Sequence, residues 1–230
     1  MARLVFKYGV GLVVLCVVIS LISGMKSTDD QWEQFLNDDA EAKALAVNEG
    51  ELRFLLSQPE KKPHLLHNKM TINPGSLDDG WIDMVQCHEN LDKVFSAQIL
   101  YHPRRTRNIG VVSSVGVGRA WVEKNSVQMT DIKVDAKVCV EAQVHSLYPN
   151  FDGTYSLHSG PFHRRFLDGY YPMRMTMDVE LPKNRLSYGA IAPMEQAGFS
   201  VKHHENGMQV NALFVGELNI EVQFDSIDEG

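Results

Sequence analysis

The chain has 230 residues, 44% of them hydrophobic and 22% charged, a composition that predicts a packed fold and excludes a disordered polymer. Its formal net charge of −7 is uneven: 3 basic against 9 acidic residues give −6 over residues 25–60, whereas 17 against 20 give only −3 over residues 61–230. So nearly balanced a body excludes general nucleic-acid binding, which requires a basic field to displace counterions.

Residues 1–24 read MARLVFKYGVGLVVLCVVISLISG, an uncharged run of 17 from Tyr8 to Gly24 behind Arg3 and Lys7. The positive end comes first and no small-x-small cleavage site precedes Met25, so an uncleaved signal anchor is expected, a single transmembrane helix with the bulk of the chain outside the cytoplasm. In a bacterium this means the inner (cytoplasmic) membrane and the periplasm; the chain has no N-x-S/T glycosylation site. Cys16 lies in the apolar run, leaving Cys87 and Cys139 in the outward part. In an oxidising compartment such a pair predicts a disulfide. Closing a loop of this length stabilises by roughly 4 kcal/mol in the chain-entropy model.

Residues 25–60 predict an acidic helical stalk. Thr28 and Gln31 have capping-box spacing, and Trp32, Phe35 and Leu36 recur at helical period, which predicts a helix over about 29–47. Gly50 interrupts it, a short second helix is expected over Glu51–Leu56, and Pro59 and Pro63 end it. Residues 61–80, with Lys-Lys-Pro, Asn-Pro-Gly and Asp-Asp-Gly, are expected to be a linker loop.

From Trp81 the period changes to two. In KVDAKVCVEAQVHSL, residues Val134, Ala136, Val138, Val140, Ala142 and Val144 fall on one expected inner face, and Asp135, Lys137, Cys139, Glu141, Gln143 and His145 on the other. GELNIEVQFD alternates likewise through Leu218, Ile220, Val222 and Phe224, and HHENG reads as a hairpin turn. Eight to ten such segments in succession predict a mainly β fold over residues 81–230, an antiparallel β-sandwich of immunoglobulin-like or jelly-roll-like type.

The chemistry concentrates in Gly160–Pro182, GPFHRRFLDGYYPMRMTMDVELP. Phe162, His163, Arg164, Arg165, Phe166, Tyr170 and Tyr171 crowd a predicted Asp168-Gly169 turn. Aromatics beside arginines are the residue types of interface hot spots, so this loop is the expected contact with a protein or envelope-polymer partner. The basic cluster HPRRTRN at 102–108 is a candidate extension of it. Met173, Met175 and Met177 share one strand face with Val179 and Leu181, which predicts core filling; copper binding through these thioethers is the alternative. GxSxG, HExxH, CxxC and phosphate-loop motifs are all missing, so the expectation is a non-enzymatic binding or scaffold protein with no cofactor, or, as the alternative, an exported copper-handling protein.

Overall fold

The computed structural model describes residues 50–166 and 169–227. The expected anchor (1–24) and the helix over 29–47 lie outside the described residues. Among the described residues no helix is long and apolar enough to cross a membrane.

Alternation of apolar and polar side chains builds the larger of two cores. Strand β11 (Met173–Glu180) is buried at every second residue, as is most of β15 (Leu218–Ser226). Each such strand presents one apolar face, and two sheets bury these faces against each other. The first sheet follows the order β1 (Arg53–Phe54), β14 (Gly207–Val215), β11, β2 (His64–Thr71), β3 (Trp81–Leu91), β6 (Ser126–His145), β4 (Val94–Leu100). Strand β13 (Phe199–His204) also pairs with β14, and β5 (Thr106–Glu123) with β6. The second sheet runs β12 (Leu186–Ala192), β15, β8 (Tyr155–Phe162), β7 (Leu147–Pro149). Leu66, Met70, Met173, Met175, Met177, Val179 and Phe214 of the first sheet share one cluster with Leu157, Phe162, Leu218, Ile220, Val222 and Phe224 of the second. The fold is thus mainly β, antiparallel except where β2 runs parallel to β11.

Two expectations are corrected. Residues 61–80 are not a linker throughout: β2 sits inside the first sheet between β11 and β3, and only residues 61–63 and the stretch around α1 (Ser76–Asp79) lie outside strands. The proline- and glycine-bearing flanks disguised it, and Asn68, buried between Leu66 and Met70, broke its apolar alternation. Nor is Glu51–Leu56 helical. Arg53 and Phe54 form β1, because Phe54 caps the core by packing on Phe199 with ring centroids 5.2 Å apart.

The hairpin at HHENG turns over Glu205 and Asn206, with His204 opposite Gly207. Glycine is required there: a Cβ on Gly207 would lie 1.9 Å from the Val179 carbonyl oxygen.

The smaller core belongs to one long hairpin. Strand β6 carries β5 on one side and, on the other, β4 along its first half and β3 along its second. A straight run from residue 125 to residue 140 would span about 50 Å. Yet the Tyr101 ring, whose backbone bonds to Asn125, reaches Gln86, which pairs with Val140: its hydroxyl donates to Gln86 Oε1 at 3.1 Å. The hairpin is therefore folded back on itself. The bend falls where residues 133–136 of β6 loop out against Gly116, with Asp131 and Asp135 at positive φ (52° and 56°). Val127, Met129 and Ile132 from one half join Ala136, Val138 and Val140 from the other in a second apolar cluster. The bulge re-aims a side chain: Val134, expected inside, is 68% exposed, whereas Cys139, beyond the bulge, keeps the face opposite Val138 and Val140 and is buried there by its bond to Cys87.

Candidate functional site

Strand β8 runs out of the two-sheet core at Phe162, which stays buried there. The chain then doubles back as a small hairpin of β9 (Arg165–Phe166) and β10 (Gly169–Tyr170), with Arg165 opposite Tyr170 and Phe166 opposite Gly169. The Tyr171 N–H donates to the Arg164 carbonyl at 2.9 Å and extends the ladder. Strand alternation sorts the expected contact residues into two groups.

One group lies along the surface, with Tyr170 half-buried and His163 and Arg165 exposed. Tyr170 meets His163 edge to face (5.7 Å between centroids) and lies 5.4 Å beneath the Arg165 guanidinium. Its hydroxyl donates to Glu217 Oε1 at 2.5 Å, and this bond is the main cause holding the phenol pKa above its ordinary value. The other group forms the wall of a cleft of about 550 Å³. Arg164 lies over Phe166 and Tyr171 (5.2 and 5.6 Å), whose rings meet edge to face at 5.4 Å. Pro59, Lys61, Pro63, Asp92, Val94 and Pro172 complete its lining. Asp92 accepts from both Lys61, at 2.7 Å, and Arg164. One carboxylate thus clasps three segments far apart in sequence. Phe166 remains 41% exposed at the mouth.

Beside this cleft a chain of polar groups runs between the two cores. His64 Nε2 lies 3.0 Å from His88 Nδ1, His88 Nε2 lies 3.1 Å from Gln86 Oε1, and Tyr101 donates to the same oxygen. The pattern fixes the tautomers. Gln86 Oε1 is an acceptor, so His88 carries its proton on Nε2, and His64 then donates from Nε2 to His88 Nδ1. Both rings are neutral at pH 7. Burial, aided by Arg164, lowers the His64 pKa to about 4; burial, aided by His64, lowers that of His88 to about 3. Burial raises the Tyr101 phenol. Asn68 sits directly opposite Gln86 on β2, fully buried.

The remaining sequence candidates lie elsewhere. Cys87 and Cys139 face each other across β3 and β6 and form a disulfide, with Cα atoms 4.0 Å apart. Met173, Met175 and Met177 are buried in the two-sheet core, 0–2% exposed, continuous with Val179. HPRRTRN does not extend the knot; it lines a different cleft at the end of the long hairpin. On the open face of the first sheet, His67 Nδ1 lies 2.6 Å from Thr176 Oγ1 and its Nε2 3.4 Å from Asp178, but neither cleft includes these residues. Among the described residues no three His, Cys, Asp or Glu side chains gather as a metal-binding group.

Sequence reasoning picked out Arg164, Phe166 and Tyr171 but missed Asp92, Lys61, His64, His88, Gln86 and Tyr101. No spacing links residues 72 positions apart such as Asp92 and Arg164. A pairing of the isolated His64 and His88 across neighbouring strands was the only signal available, and it required β2 to be recognised as a strand.

No family model matches the chain, and it has no match among curated proteins.

Proposed function

We propose that this chain is a non-enzymatic binding or scaffold module, tethered to the membrane by its first 24 residues and facing out of the cytoplasm, with the cleft at the β9–β10 hairpin as its docking point. The disulfide and the apolar run behind Arg3 and Lys7 support the placement. The two facing sheets around one core support a sandwich of immunoglobulin-like or jelly-roll-like kind. The docking reading rests on one observation above all: Phe166 is held half-exposed at the mouth of a concave, aromatic- and proline-lined cleft whose cations are fixed by Asp92. Rigid, partly solvated aromatic anchors beside arginine are what binding hot spots are made of. A protein or envelope polymer with an apolar group for the cleft and an acidic group for Lys61 fits this chemistry.

The test is site-specific photocrosslinking in cells with the full chain. A photoreactive residue at position 166 is expected to give a discrete adduct that Lys61→Glu abolishes, whereas the same residue at Lys183 gives none. Identical adduct patterns from both positions would discard the cleft as the docking point.

A further inference from the structure

The far end of the long hairpin carries a second cleft with a different charge balance. The β4–β5 connection and the β5–β6 turn lie side by side: the Tyr101 N–H donates to the Asn125 carbonyl at 2.9 Å and Asn125 Nδ2 to the Tyr101 carbonyl at 2.6 Å. Between them is a cleft of about 380 Å³ whose polar lining is Thr106, Arg107, Asn108, Lys124 and Asn125. Among the described residues no carboxylate lines it. Arg104 and Arg105 stand in the adjoining turn, and among the described residues none of these four cations has a carboxylate within 4.0 Å. The knot cleft differs on this point, since Asp92 pairs with both of its cations.

The geometry is also built rather than loose. The Arg107 guanidinium lies 4.0 Å over the Trp81 ring, and its Nε donates to Gln143 Oε1 at 3.0 Å. Asn108 Nδ2 donates to the same oxygen at 3.0 Å, and Gln143 is held in turn by its own bond to Asp83. With stem and Nε fixed, the two terminal nitrogens of Arg107 have no partner among the described residues. Asn108, at a bulge in β5, and Lys124, in the β5–β6 turn, both sit at positive φ (56° and 55°). A guanidinium fixed by stacking, with its outer edge free, presents two parallel donors to a tetrahedral oxyanion, and a nearby ammonium adds a point charge.

We infer that this cleft binds a phosphate-bearing group, whether a soluble phosphate ester or a lipid headgroup, through the terminal nitrogens of Arg107 and the Lys124 ammonium. The volume equals the liquid share of roughly a dozen waters, which admits a phosphoryl group with a small organic body. Two unneutralised cations match a phosphate monoester better than a single carboxylate.

The experiment titrates the full chain in zwitterionic detergent, at fixed ionic strength, with glycerol 3-phosphate and with short-chain phosphatidic acid, using glycerol as the control. Saturable one-site binding is expected from at least one of the two phosphates and none from glycerol. Arg107→Gln with Lys124→Gln should weaken it about tenfold or more, the loss expected for charge-assisted bonds. Lys124→Gln alone, which leaves the Trp81 stack intact, should weaken it in part, and Lys202→Gln, at an exposed cation elsewhere, not at all. Preference for phosphatidic acid assigns a headgroup; preference for glycerol 3-phosphate assigns a soluble ester. Absence of saturable binding to either, or equal weakening by Lys202→Gln, overturns the inference.

Discussion

The two cores are built from the same residue types on different principles. In the two-sheet core, β11 and β15 keep strict alternation, and each inward residue is covered by a partner sheet. In the long hairpin, β6 alternates only in pieces, and cover comes from the hairpin's own other half. A flat strand needs another sheet, whereas a bulged one turns back and covers itself. Between the two lies the polar chain of His64, His88, Gln86 and Tyr101, so the cores meet at hydrogen bonds rather than at a continuous apolar surface.

The contrast predicts graded effects. Phe214→Ala, at a residue with no exposed surface, should cost about 3–5 kcal/mol in chemical denaturation, because the opposing sheet cannot collapse into the void; a loss below about 1 kcal/mol would mean the two-sheet core is not the main source of stability. Replacing Cys87 and Cys139 together by alanine should cost roughly 2–4 kcal/mol, since the bridge ties β3 to the half of β6 that both cores share. An unchanged denaturation midpoint after removal would show that the hairpin closes without it.

Acidification probes the polar chain. Both histidines are depressed in the folded state, so below pH 6.5 the unfolded chain binds more protons than the folded one, and stability falls as pH drops from about 6.5 towards 4 and 3. The loss should reach on the order of 2–3 kcal/mol for each histidine by about pH 4.5, and His88→Gln should flatten the profile; a variant with the parental profile would place the acid sensitivity elsewhere. The smallest effect is Tyr101→Phe, about 0.5–1.5 kcal/mol for one hydrogen bond. Hydrogen exchange should rise along β4 and the first half of β6 and stay unchanged in β11, because only the hairpin's closure uses that hydroxyl.

This division also explains what was legible in the sequence. Met173 to Val179 and Leu218 to Phe224 revealed their faces because nothing interrupts their period, and Cys87 and Cys139 announced a pair by being the two cysteines beyond the apolar run. Val134 misled because a bulge at Asp135 turns it outward, and positive φ at an aspartate leaves no mark in a hydrophobic pattern. Strand β2 was hidden by Asn68 in its apolar row. In the candidate site, the crowding of Arg164, Phe166 and Tyr171 was visible. Their partner Asp92 was not, because a single carboxylate in a loop looks like any solvated charge until the fold brings an arginine to it.

Strand β6 belongs to both cores at once. Val138 and Val140 serve the hairpin, while Val144, a few residues on in the same strand, packs against the two-sheet core. Opening the second half of β6 breaks its ladders to both β3 and β5, so complete unfolding of the hairpin also opens the strand on which Val144 packs against the two-sheet core. The described body should therefore melt in a single cooperative transition, with calorimetric and van't Hoff enthalpies equal, although it contains two apolar clusters.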